Sequence, residues 1–288
     1  MNDFIILTDT ACDINSILLK EWQIGFIEMS LRFENEEKEY LNNDIEISEF
    51  YNRMRNGETA KTSAINPDRF SDFFEEYLKQ GKDILYLGFS SGLSTTYNSA
   101  RIAAESLLEN YSERKIIIVD TMAASSGQGL LVYFASKRKS EGASIEEVAD
   151  YIENIKMNLC HWFTVDDLVY LKRGGRISPT LAFVGGVLGI KPVLHVDNEG
   201  KLVSVSKVRG RKAALKTLVE KYGETALDKK NGTVFISQGD CNNDADEIKN
   251  QLKEKYGANV EIIADIGPVI GAHSGPGTIA IFYVGMER

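Results

Sequence analysis

Ile84-Leu85-Tyr86-Leu87-Gly88-Phe89-Ser90-Ser91-Gly92-Leu93-Ser94-Thr95-Thr96-Tyr97 passes from apolar to small and polar within one short stretch. A β-rich apolar run of this length reads as a buried strand; glycine and serine end it, and helical spacing follows from Ser94 to Leu108. The same change recurs on either side. Phe4-Ile5-Ile6-Leu7 ends in Thr8-Asp9-Thr10, and Ile116-Ile117-Ile118-Val119 ends in Asp120-Thr121 before a helical stretch from Gly127 to Arg138. Strands alternating with helices predict a parallel sheet, with ligand chemistry at the carboxyl ends of its strands. Pro67 to Leu78 adds an amphipathic helix whose apolar face, Phe70, Phe73, Phe74 and Tyr77, belongs to the core.

The texture changes after residue 157. His161-Val165, Lys191-Val196, Leu202-Val208, Thr233-Ser237, Val260-Ile263 and Thr278-Val284 read as strands, with Asn198-Glu199-Gly200 as a hairpin turn. Helices over Gly210 to Tyr222 and Ala245 to Tyr256 separate the later ones. The chain therefore reads as an α/β fold of two domains: an N-terminal parallel-sheet α/β domain, residues 1–157, and a C-terminal mixed α+β domain, residues 158–288. Charge divides at the same place. The first part holds 16 basic and 27 acidic side chains, the second 17 and 15. No proline- or glycine-rich linker marks the join.

Over 288 residues the net charge is -9, which disfavours nucleic acid and anionic membrane surfaces as partners, since their binders concentrate excess Lys and Arg on one face. Leu181 to Ile190, the longest strongly apolar stretch, is far short of the ~20 residues that span a bilayer, so no integral membrane segment is expected. Met1-Asn2-Asp3 leads directly into Phe4-Leu7, so no targeting segment is expected either. Cys12, Cys160 and Cys241 are odd in number and widely spaced, which argues against a disulfide framework or a zinc site and for a reduced cytoplasm. There is no phosphate loop, no HExxH and no complete GxGxxG. No cofactor is expected.

Three small, polar segments stand out. Thr62-Ser63-Ala64-Ile65-Asn66-Pro67, directly before a helix, and Ser90-Ser91-Gly92-Leu93-Ser94-Thr95-Thr96-Tyr97, between strand and helix, lie where hydroxyls cap free N–H groups or, equally, hold an anion. The third, Gly267 to Gly277, surrounds one histidine with four glycines and two prolines, and reads as a loop that holds the His273 imidazole in place. A neighbouring carboxylate would favour the charged form of that ring. His161 and His195 lie within apolar strand patterns and read as satisfied core residues. Lys172-Arg173-Gly174-Gly175-Arg176, with a second cluster at Lys207, Arg209, Arg211 and Lys212, suggests an anionic ligand or acidic partner in an otherwise acidic chain; the alternative is a solvated turn pairing with Asp166 or Asp167.

Taken in order, Thr8-Asp9-Thr10, Thr62-Ser63, Ser91-Gly92-Leu93-Ser94, Gly127-Gln128-Gly129, Leu171-Lys172-Arg173-Gly174-Gly175-Arg176-Ile177, Ile190-Lys191-Pro192 and Gly267 to Gly277 resemble the DegV family, the fatty-acid-binding (FakB) subunits of bacterial fatty acid kinase. The resemblance covers essentially the whole chain. It departs at Ala64-Ile65-Asn66, where the family often has Gln-Pro-Ser, and at Thr95, where Gly is common. It implies that a long-chain fatty acid lies in a tunnel between the two domains, its carboxyl group held by Thr62, Ser94 and His273, with Ser63 as a weaker ligand candidate. It further implies that a separate ATP-dependent kinase subunit phosphorylates that carboxyl group to an acyl-phosphate, with an acyltransferase as a further partner. Arg173, with Lys172 and Arg176, is then the candidate partner-facing group. The protein would be no enzyme by itself.

Two readings compete with this one. Ser94 as nucleophile and His273 as base would make a serine hydrolase or esterase, although Gly92-Leu93-Ser94-Thr95-Thr96 lacks the second glycine of the nucleophile elbow. A structural or regulatory protein would carry no lipid.

Overall fold

Apolar runs ending in small polar residues do build a parallel sheet here. In the computed structural model, which describes residues 3–177 and 189–288, strands β1 (Phe4–Asp9), β2 (Ile24–Ile27), β6 (Asp83–Gly88) and β7 (Ile116–Asp120) pair in the order β2-β1-β6-β7, all parallel. The register aligns Gly88 with Asp120 and Thr8 with Leu87, so the polar strand ends gather at one edge. A three-stranded antiparallel sheet of β3 (Ser30–Phe33), β4 (Tyr40–Leu41) and β5 (Ala60–Ser63) also lies in this half. The alternation pattern does not announce these short strands, so the first half is not purely parallel.

The later strands form one six-stranded mixed sheet, β10-β9-β8-β13-β11-β12. They are β8 (Leu159–Thr164), β9 (Ile190–Val196), β10 (Leu202–Arg209), β11 (Thr233–Gln238), β12 (Asn259–Asp265) and β13 (Ile279–Val284). Only the β11–β12 pair is parallel. The hairpin turn expected at Asn198-Glu199-Gly200 joins β9 to β10.

Helices α1 (Ser16–Glu21), α2 (Ile47–Arg55), α3 (Pro67–Leu78), α4 (Thr96–Leu108), α5 (Ser126–Ser140) and α6 (Ile145–Ile155) belong to the first half. In the second lie α7 (Val169–Arg173), α8 (Arg211–Thr225), α9 (Asn242–Tyr256) and α10 (Pro268–Ser274). Helix α3 follows its sequence closely: Pro67 sits in the first turn, the Asn66 side chain accepts from Arg69 N–H (2.9 Å), and Phe70 and Phe74 are fully buried. Phe73 and Tyr77 are only partly buried at the margin of that core. Because Asn66 does the capping, Thr62 and Ser63, on β5, are free of it.

Helix α5 matters most for the site. Its first seven residues, Ser126 to Val132, are all buried, because it packs against strands of both large sheets instead of covering one. Gly127 makes this possible: a Cβ there would overlap His161 Nε2 and come within 2.8 Å of Phe282 Cδ1. One hydrophobic core accordingly contains Ile6 and Leu87 of the parallel sheet, Leu130 and Leu131 of α5, and Phe163 and Phe282 of the mixed sheet. Among the described residues no helix is long and apolar enough to cross a membrane, and no group of His, Cys, Asp and Glu is placed to hold a metal ion.

Candidate functional site

Strand periodicity makes the floor of a cavity. Alternate residues of β13 and its approach, Thr278, Ala280 and Phe282, and of β8, His161 and Phe163, point to one face of the mixed sheet. Phe89 and Leu93 from the loop after β6, with Ala124 and Ser125 before α5, cover them; Ile266, Val269 and Ile270 close one side. The empty space, counting the solvent at its mouth, is about 730 Å³. Its wall is almost wholly apolar, with polar groups confined to a few positions.

His273, on α10, stands at one pole. Its Nε2 is 2.7 Å from Thr62 Oγ1 on β5, which brings together two residues separated by 211 positions in sequence. Its Nδ1 faces Gly174 and has no hydrogen-bond partner among the described residues. Arg176 lines the same pole, with Nε donating to Leu93 O (3.2 Å) and Nη1 to Gly174 O. The Leu93 carbonyl leads directly to Ser94, so Arg176 ties the Ser94 loop to the pole. Ser94 Oγ itself lies 2.9 Å from Thr96 Oγ1 and accepts from the N–H of Thr96 (3.2 Å), the first residue of α4.

The electrostatics differ from the sequence expectation. Among the described residues no carboxylate charges His273; burial, and then the positive charge of Arg176, push its pKa down to about 4, so the ring is neutral near pH 7. Arg176 is itself half-buried beside that ring, not wholly in solvent. The glycine-rich segment is a helix in its middle, not a loop. Nor are Ser94 and His273 joined as nucleophile and base, since each is engaged elsewhere, with Thr96 and with Thr62.

The other predicted residues divide. Ser63 is exposed at the end of β5. Lys172 and Arg173 are exposed on the last turn of α7, and Arg173 Nη1 donates to Thr59 Oγ1 (2.9 Å). Asp166 is taken by Lys191 (2.7 Å) and Arg211 (3.5 Å), while Asp167 accepts from Val169 N–H; the pairing with Arg173 does not form. Of the apolar stretch Leu181 to Ile190, residues 181–188 lie outside the described residues.

Thr8-Asp9-Thr10 and Gly127-Gln128-Gly129 shape the site indirectly. Asp9 accepts from Tyr86 Oη (2.5 Å) and from the N–H groups of Phe89 and Ala11 (3.0 Å each), fixing the loop that roofs the cavity. Gln128 Nε2 donates to Thr8 Oγ1 (2.9 Å). Asp13 joins the halves: its Oδ1 accepts from Gly267 N–H (2.9 Å), and its Oδ2 lies 2.5 Å from Ser125 Oγ. Burial raises the Asp13 pKa to about 8. A folded-state pKa above the ordinary carboxyl value contributes stability below that ordinary value, and this contribution is lost as pH rises through about 8. Asp13→Asn mimics the protonated acid. The wild type's thermal midpoint, relative to this variant's, should therefore fall between pH 4 and 8; a pH-independent difference would refute the assignment.

Sequence reasoning missed His161, Ser125 and the inward placement of Arg176. A GxSxG-like search would not find Ser125, but its backbone, φ 55° and ψ -150°, marks it as a constrained, cavity-lining residue.

Comparison with known proteins follows the same outline. The model of the family described as uncharacterised proteins of the DegV family matches residues 3–285. A DegV domain-containing protein of Clostridium perfringens is 46% identical over 288 residues, covering 99% of this chain and 98% of its own. Among solved structures, a DegV lipid-binding protein of Thermotoga maritima has a TM-score of 0.87 at 31% identity, covering 99% of each chain. A DegV family protein of Thermus thermophilus described by its fatty acid binding has a TM-score of 0.89 at 27% identity, covering 99% of this chain and 100% of its own. A stearic-acid-binding protein of Eubacterium ventriosum has a TM-score of 0.88 at 25% identity, covering 98% of each chain.

Proposed function

The chain belongs to the DegV family, and on that premise we propose that it binds a long-chain fatty acid and presents its carboxyl group to a separate ATP-dependent kinase. The observation that carries this reading is the cavity itself: a mostly apolar wall that contains His273 and Arg176, with Thr62 hydrogen-bonded to His273. Fatty-acid binding by the Thermus and Eubacterium relatives supports it. In this reading the cavity lies between an N-terminal domain, residues 1–157, and a C-terminal one, residues 158–288, and the protein works in the cytoplasm.

The energetics suit the assignment. Each methylene taken from water contributes ~0.8 kcal/mol, so about 14 of them contribute on the order of 11 kcal/mol before the costs of binding. The carboxylate must exchange water for protein donors. The Thr62–His273 pair uses one of its two hydrogens internally and leaves the other for the carboxylate, Ser94 adds a hydroxyl, and Arg176 supplies the opposite charge. Ser63, at the exposed end of the same strand, is a weaker contributor.

Lys172 and Arg173 form the exposed basic rim beside this pole, where a kinase subunit would dock to form the acyl-phosphate; an acyltransferase would consume the product. Incubating the lipid-loaded protein with a fatty acid kinase catalytic subunit and ATP, and trapping acyl-phosphate with hydroxylamine, tests presentation directly. Arg173→Ala should lower the rate ~10-fold through weaker docking while leaving lipid affinity unchanged. Equal loss of both would put Arg173 in the binding site instead. Turnover of acyl esters by the isolated chain, abolished in Ser94→Ala, would replace this reading with the hydrolase.

A further inference from the structure

The far end of the cavity holds a polar atom with nothing to bind. Thr278 Oγ1 donates to Ser274 O, the residue after His273, and so marks the near pole. Four residues along the strand, ~13 Å at the usual rise, Phe282 meets His161 edge to face with ring centroids 5.4 Å apart. His161 is 1% exposed and lines the cavity, and its Nε2 has no partner among the described residues.

The chemistry of that nitrogen is fixed by its surroundings. His161 Nδ1 is 3.2 Å from Leu159 O, and a carbonyl oxygen only accepts, so Nδ1 carries the hydrogen. Burial, reinforced by the charge of Arg288, holds the ring well below the ordinary histidine pKa and therefore neutral. Nε2 is thus a bare acceptor, packed against Gly127 of α5, where any side chain would displace the ring. His195 shows the contrast: its Nδ1 is 3.0 Å from His161 O and its ring stacks on Trp162, as an internally satisfied histidine should. Ser125 Oγ, just before α5, is already engaged by Asp13 and Ser237. A buried acceptor without a donor is costly, and an alkyl chain has no donor to offer it.

Building on the fatty-acid reading, we propose that His161 Nε2 is a second polar anchor, selecting acyl chains that carry a hydroxyl group in their distal half. The hydroxyl would donate to Nε2 while the carboxylate occupies the His273 pole. This makes the chain's ligand class hydroxylated as well as plain long-chain fatty acids.

Ricinoleic and oleic acids differ by one such hydroxyl. Titrated into the delipidated full-length protein, ricinoleic acid should bind at least as tightly as oleic acid, and His161→Phe should lower the ratio of ricinoleic to oleic acid affinity ~10-fold. In the wild type with ¹⁵N-labelled histidine, the His161 Nε2 resonance should shift on adding ricinoleic acid and not oleic acid, a readout independent of the variant's folding. Wild-type rejection of ricinoleic acid, an equal effect of the variant on both acids, or an unmoved Nε2 resonance would overturn the second anchor and leave fatty-acid binding intact. Binding of neither acid would overturn both.

Discussion

Arg176→Met should weaken binding of a long-chain fatty acid by roughly a hundredfold or more. Methionine keeps much of the stem's volume but removes the charge that faces a carboxylate at the His273 pole, and breaking a buried charge pair costs about 2–5 kcal/mol. The residue is well placed for this: it lines the cavity, its positive charge lowers the His273 pKa, and its Nε holds the Leu93 carbonyl next to Ser94. A fatty alcohol of the same length isolates the charge from the packing. Wild type and variant should bind it almost equally. A matching loss for the alcohol would mean that Arg176 shapes the cavity, and no loss for the acid would place the carboxylate elsewhere.

The second large effect is expected from a single methyl group. His273→Ala should reduce fatty-acid affinity about 10- to 100-fold, the cost of a hydrogen bond to a charged group, and Gly174→Ala should reproduce most of that defect. Gly174 has φ -70° and ψ -11°, which alanine adopts without strain, so the consequence is steric. A Cβ there would overlap His273 Nδ1 and sit 3.1 Å from Cγ and Cε1, pushing the ring from its position beside Thr62. Since His273 is already neutral, affinity should show no step at the ordinary histidine pKa. A rise in affinity as pH falls through that range would mean that the charged ring binds the acid. If Gly174→Ala binds like wild type, the ring does not need its observed position.

Local chemistry explains which parts were readable in advance. Strands β1, β6 and β7, helix α3 and the β9–β10 hairpin have strong periodicity or turn residues, and the structure places them within a few residues of expectation; the fourth parallel strand, β2, is four residues long with a glycine inside it and was not expected. Strands β3 to β5 were hidden because they are two to four residues long and carry charged or polar side chains such as Arg32 and Lys61. Helix α10 was hidden by its own glycine and proline content, although Pro268 in its first turn is a recognised start signal. Arg176 looked like part of one basic run with Lys172 and Arg173. The helix ends at Arg173, however, and Gly175, at φ 70°, turns the chain so that Arg176 enters the cavity.

The candidate site shows the same division. His273 and Thr62 were legible as residue types, and the structure brings them into contact. The neutrality of His273 was not legible, because it depends on burial and on Arg176, which spacing along a chain does not encode. His161 looked like any core histidine because its strand is apolar on both sides; only the three-dimensional packing against Gly127 and Phe282 leaves its Nε2 unpaired.

Mass spectrometry of the lipid released when bacterially expressed protein is denatured tests the central claim most directly. The account predicts long-chain fatty acid close to one per chain, and stoichiometric uptake of added oleic acid after lipid removal. A lipid-free extract together with no binding of added oleic acid would contradict it.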